Sequence, residues 1–127
     1  MMKFKLTPEQ ARMAWAEALE SGEYTQGYGR LRRGNEHCCL GVACEVFRRE
    51  EGEELLTGIV LESQYQLPII VKDWLGLVGV RGEYTFYKEE ASLDRDNDVY
   101  RLSFTEIAHK VRNGDEYGLW RTENCSV

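Results

Sequence analysis

The chain has little of what usually announces a function. Two histidines and two prolines among 127 residues leave scant material for a histidine-built metal centre or a proline-rich linker. No apolar run approaches the ~20 residues a bilayer-crossing helix needs, so no membrane span is expected. Positive charge is in deficit: 16 Lys and Arg against 22 Asp and Glu give a formal charge of −6. A general nucleic-acid grip needs a basic face to neutralise phosphates, so that class is excluded. Basic residues still cluster locally, at Arg30, Arg32 and Arg33. The four cysteines contain no C-x-x-C pair, the spacing on which zinc ribbons and fingers are built. The opening Met1-Met2-Lys3-Phe4-Lys5 runs into Thr7-Pro8-Glu9-Gln10 instead of an apolar h-region, which predicts no secretory leader and a cytoplasmic protein. In that compartment the cysteines are thiols or metal ligands rather than a disulfide framework.

What is present describes an ordinary globular chain, 43% apolar and 30% charged. Its length suits one domain over residues 1–127 with a core that needs no staples. The first helix is well punctuated: Thr7 as N-cap, Pro8 at its first position and Gln10 completing a capping box. Ala11, Ala14, Trp15, Ala18 and Leu19 follow at helical spacing and Ser21-Gly22 stops it. A glycine-rich loop then leads to a short strand near Tyr28 to Arg32, a turn at Gly34-Asn35 and a partner strand at His37-Cys38. A second helix is expected from Cys39 or Leu40 to about Glu50, with Leu40, Ala43, Cys44 and Phe47 as its apolar stripe.

Leu55 to Leu61 reads as a strand or an irregular crossing. Pro68 opens a short helix, Ile69 to Leu75, closed by Gly76. Val80 to Tyr87 alternates as a strand, and Asp94-Arg95-Asp96-Asn97-Asp98 reads as a solvated polar turn. Ser103 and Glu106 form a second capping box for a helix carrying Phe104, Ile107, Ala108 and Val111. Asn113-Gly114 ends that helix, and Trp120 folds the tail back. The sum is an α+β domain: three or four helices on a small, mostly antiparallel sheet made from the hairpin and the Val80 region.

One stretch, Tyr24 to Phe47, carries the most specific pattern. Trp15, Ala18, Leu19, Ser21, Gly22, Tyr24, Gln26, Gly27, Gly29 and Leu31, followed by Cys38 to Val42, Cys44 and Glu45, spell W-x-x-A-L-x-S-G-x-Y-x-Q-G-x-G-x-L and C-C-L-G-V-x-C-E. This pattern resembles a family of small proteins encoded by bacteriophages and prophages. Leu67-Pro68 with Trp74-Leu75-Gly76-Leu77, and Asn97-Asp98 with Ser103 to Ala108, resemble its later blocks. The resemblance covers most of the chain and implies a phage origin.

Three constellations are candidate sites. Tyr24, Gln26, Gly27, Tyr28, Gly29, Arg30, Arg32 and Arg33 combine glycines that let amides approach an anion, guanidiniums for phosphate and phenol rings for stacking. That set suits a nucleotide-like ligand, against the plainer reading of a tight connection whose tyrosines pack on Trp15. His37, Cys38, Cys39 and Cys44, with Cys125 or His109 in reserve, hold enough soft ligands for zinc. However, Cys39 and Cys44 fall about 140° apart on one helix, and packing material outweighs a metal site. A thiol nucleophile beside His37 or His109 lacks an orienting group. Asp94, Asp96 and Asp98 mimic the start of a calcium loop, but Val99 stands where glycine is required. No catalytic residue, metal or cofactor is assigned. The expected role is a phage accessory protein that binds without turnover, as an antagonist of bacterial defence holding a nucleotide-derived signal in a small homo-oligomer. Its alternatives are a module that inhibits or redirects a host enzyme, and a small zinc or thiol enzyme.

Overall fold

A computed structural model describes residues 4–86 and 88–121, with the backbone alone at Phe86. The first helix, α1 (Pro8–Glu20), begins at the capping box: Gln10 N donates to Thr7 Oγ1 at 3.2 Å and Thr7 N to Gln10 Oε1 at 2.9 Å. Its buried face carries Ala11, Trp15, Ala18 and Leu19. Three two-residue strands follow, β1 (Thr25–Gln26), β2 (Arg32–Arg33) and β3 (Glu36–His37). They form one sheet in the order β1-β3-β2, β1 running parallel and β2 antiparallel to the central strand. The hairpin turn falls at Gly34-Asn35 as expected. The strand expected at Tyr28 to Arg32 is reduced to its last residue and shifted onward. Cys38, expected in the partner strand, is instead the N-cap of the next helix.

That helix, α2 (Cys39–Glu51), is the centre of the core. Cys39 through Cys44 are all buried, so its first turns bear no outer polar face. Phe47 meets Trp74 edge-on at 5.1 Å between centroids. The Glu51 carboxylate, at the helix end, accepts from Trp74 Nε1 and from the amides of Lys5 and Leu6. The crossing between Gly52 and Ser63 is two 3₁₀ turns, Glu53–Leu56 and Leu61–Ser63, rather than a strand. Helix α3 (Ile69–Leu75) sits where Pro68 and Gly76 place it.

The second sheet departs most from expectation. Strand β4 (Glu83–Phe86) starts late, Tyr87 lies outside the described residues, and β5 (Glu89–Ser92) pairs with it antiparallel as a separate two-stranded hairpin. The segment expected as a solvated turn is helix α4 (Leu93–Asp98), with Asp94, Asp96 and Asn97 buried. Helix α5 (Phe104–Arg112) has the expected capping box and packs along α1. It stops at Asn113, its C-cap, as expected, and a further turn, α6 (Gly114–Tyr117), follows at once. Trp120 does fold back, bridging to Leu77 beneath the Arg12 guanidinium. The architecture is α+β in one small unit. Among the described residues no helix is long and apolar enough to cross a membrane.

Candidate functional site

The glycine-bent loop between α1 and β2 is pinned by Asn97, a fully buried residue of α4. Asn97 Oδ1 accepts from Gln26 Nε2 at 2.9 Å and from the Cys39 amide at 3.2 Å. Its Nδ2 donates to Gly27 O at 2.9 Å and Asp98 Oδ1 at 2.8 Å. Gln26 Nε2 also reaches Leu102 O. One amide side chain therefore joins the loop, the N-terminus of α2 and α4, with both lone pairs and both hydrogens used. The glycine amides expected to face an anion are spent inside the protein: Gly27 N donates to His37 O at 2.7 Å and Gly29 N to Asp98 Oδ1 at 2.9 Å. Gly27 is required there, since a Cβ would stand 2.7 Å from Glu36 Cβ.

The side chains of the loop divide into two groups. Tyr24 packs edge-on against His37 and against the buried core that contains Trp15. Arg32 is closed by carboxylates, with Glu62 at 3.1 Å and Glu45 at 3.6 Å. Tyr28 and Arg30, flanking Gly29, face outward. The Arg101 guanidinium lies 3.9 Å from the Tyr28 ring centroid, and Arg30 lies 5.5 Å from that of Tyr65 while donating to Glu62 O. Tyr28 is 38% and Tyr65 58% exposed. Arg101 holds this position with φ +57°, a left-handed conformation that costs a non-glycine residue about 1 kcal/mol or more. Arg33 is exposed. The surface thus carries two aromatic rings, each with a guanidinium over it, Tyr28 and Arg30 coming from the braced loop and Tyr65 and Arg101 from other segments. None of the four main clefts among the described residues is lined by the Tyr24–Arg33 residues.

The sulfurs are packed. Cys38 Sγ caps α2 by accepting from Gly41 N at 3.4 Å, and Cys39 Sγ donates to Leu93 O. Burial pushes the Cys38 thiol up to about 12 and those of Cys39 and Cys44 well above their ordinary value. With burial favouring the neutral thiol, none of the three is poised as a thiolate nucleophile. His37 Nε2 is 2.8 Å from Glu45 Oε2, while its buried Nδ1 has no partner. Among the described residues no group of three or more His, Cys, Asp or Glu is arranged to hold an ion; Cys125 lies outside them.

A cleft of about 370 Å³ opens on the other side of α4, between β4, β5 and α5. At its floor Tyr84 Oη donates to Asp96 Oδ2 at 2.6 Å, and Lys110 Nζ donates to both, at 2.7 and 3.0 Å. Burial, then the Asp96 hydrogen bond, lifts the Tyr84 phenol to about 12, so it remains a donor. Burial alone would lower Lys110, but its bonds to Tyr84 and Asp96 outweigh that and hold it protonated. Sequence reasoning missed this cleft. Its signal lay in aspartates read as a turn: Asp94 and Asp96 sit two apart, and on a helix they point to different partners, Arg81 and Lys110.

Fold and geometry describe a small α+β domain with an internally braced signature loop. The chain belongs to a family defined as a domain of unknown function, DUF8296, whose model matches residues 8–114. No curated protein and no solved structure matches it.

Proposed function

We propose that the protein is a phage- or prophage-encoded accessory protein that binds a host protein without turnover, through the paired Tyr28–Arg101 and Arg30–Tyr65 stacks. The observation that carries this reading is the pairing of Tyr28 and Arg30, on the braced loop, with Arg101 and Tyr65 from other segments, while the loop's glycine amides are consumed. Tyrosine and arginine dominate the energetics of protein interfaces. Each ring already has a guanidinium over it before contact, which lowers the ordering cost of binding. A guanidinium–ring stack is worth about 0.5–1 kcal/mol when exposed and roughly 2 once water is excluded, so docking strengthens contacts that already exist. Arg30, Arg33 and Arg101 favour an acidic face on the partner, and the proposed role is to block or redirect a bacterial defence enzyme in the host cytoplasm. A nucleotide-derived signal at this loop would find no amide cradle at Gly27 and Gly29, and a base would have to displace a guanidinium from each ring.

The test starts with capture from host lysate, followed by calorimetry with the purified partner. A stoichiometric partner is expected, with affinity falling at least tenfold, or about 1.4 kcal/mol, in Arg101→Gly and in Tyr65→Ala. Glycine suits the left-handed backbone at position 101, so that variant keeps its fold. Unchanged affinity in both variants would refute the assignment of the surface. Saturable binding of a cyclic dinucleotide or an adenosine-diphosphate-ribose derivative, lost in Arg30→Ala, would replace a protein partner with a small ligand.

A further inference from the structure

We propose that the cleft between the β4–β5 hairpin, α4 and α5 is a second, separate binding site, taking a small organic anion: a carboxylate or phosphate carried on a flat apolar body. Its volume of about 370 Å³ falls in the range of small-ligand sites. Its floor is built from buried polar groups, Tyr84 at 6% exposure and Asp96 at 4%, joined through Lys110. An ammonium has three donors, and Tyr84 and Asp96 take two of them. Lys110 lines the cleft, with its ammonium also 5.0 Å and 5.7 Å from the Tyr84 and Tyr117 ring centroids; in the proposed complex its third donor goes to the anion.

Arg95 supplies a second cation. It lines the same cleft, is exposed, and has no ion-pair partner among the described residues. Tyr100, 62% exposed, and Leu102 complete the lining with an aromatic face and an apolar side chain. Glu89 and Glu90 on the hairpin side and Asp96 at the floor also line the cleft, so an anion would be confined to the side of Lys110 and Arg95. The anion would thus bind the cations of α4 and α5, with its flat body against Tyr100 and Leu102.

Stability alone is a weak reason for the Tyr84–Asp96–Lys110 cluster. A buried ion pair is often no more stabilising than apolar residues of equal volume. A charged network at the base of an open cleft is instead what recognition of a polar ligand requires.

The experiment is a ¹⁵N-correlation titration of the full chain with phenyl phosphate, benzoate, inorganic phosphate and benzyl alcohol. Expected are saturable shifts confined to the amides of Arg95, Tyr100, Leu102 and Lys110 with the two aryl anions. Inorganic phosphate and benzyl alcohol should each bind at least tenfold more weakly. Arg95→Ala, at an exposed position that leaves the fold intact, should weaken the aryl anions about tenfold, as expected for one charge-assisted contact. Shifts scattered over the surface, equal binding of benzyl alcohol, or no effect of Arg95→Ala would overturn the assignment.

Discussion

Asn97 shows how much of this structure rests on single side chains. Its amide closes four hydrogen bonds in a fully buried position. Truncation leaves the Cys39 amide and the Gly27 carbonyl without partners in a site closed to water. Each such orphan costs about 1–3 kcal/mol. Asn97→Ala is therefore expected to lose about 3 kcal/mol or more, seen as a lower urea midpoint. Asn97→Asp should be no better, because it turns two donors into acceptors facing Gly27 O and Asp98. A loss below 1 kcal/mol in the alanine variant would mean that water or a shifted loop replaces the network. The same logic separates Arg32 from Arg30: Arg32 is enclosed by Glu62 and Glu45, whereas Arg30 keeps an exposed aromatic neighbour. Two arginines of identical chemistry, two positions apart, thus differ in what they leave exposed.

At the scale of elements, α2 decides how the loop and the core meet. Leu31 crosses its first turn so closely that a Cβ on Gly41 would stand 1.7 Å from Leu31 O and 2.6 Å from its carbonyl carbon. Backbone cannot rotate aside as a side chain does. Gly41→Ala must move the strand or unwind the helix start, disturbing the Cys38 cap and the Leu31 carbonyl that accepts from Cys38 N. The expected loss is at the large end for one substitution, above about 4 kcal/mol, measured by thermal and urea unfolding. A near-neutral result would show that the crossing is looser than described. Both capping boxes and the Pro68-to-Gly76 helix were legible in the sequence, because a cap is a local bargain between residues three apart. The β5 strand and α4 were not. Glu89-Glu90-Ala91-Ser92 has poor strand propensity and pairs only because the β4 edge is there to receive it. Asp94 to Asp98 reads as solvated until distant partners appear: Arg81 for Asp94, Tyr84 and Lys110 for Asp96, and the signature loop for Asn97. The signature itself was visible, yet the loop it spans divides into an inward set that braces and an outward pair, Tyr28 and Arg30, at its variable positions, a division that only contacts reveal.

Across the whole molecule, polar networks hold the short β-structure to the helical body, and two of them fix the first sheet and its loop. One is centred on Asn97. The other runs through Glu45, which accepts from His37 and Arg48 and lies near Arg32, tying β2 and β3 to α2. The hydrogen bond from His37, against an opposing effect of burial, holds the Glu45 carboxyl below its ordinary range, with His37, Arg48 and Arg32 adding attraction. A depressed carboxyl binds its proton more weakly folded than unfolded. Its contribution is therefore complete above the unfolded value of about pH 4.3 and is lost as pH falls through the lower folded value. Glu20 and Glu106 are lowered as well, by Arg112 and by the Ser103 cap, so the total acid sensitivity belongs to several groups. The difference between wild type and Glu45→Gln isolates this one. Urea unfolding should show the wild type more stable at pH 7, with the gap narrowing steadily below about pH 4.3. If the gap stayed constant down to pH ~2, Glu45 would be acting through shape and neutral hydrogen bonding, and the charge that links the small sheet to α2 would have to be sought elsewhere.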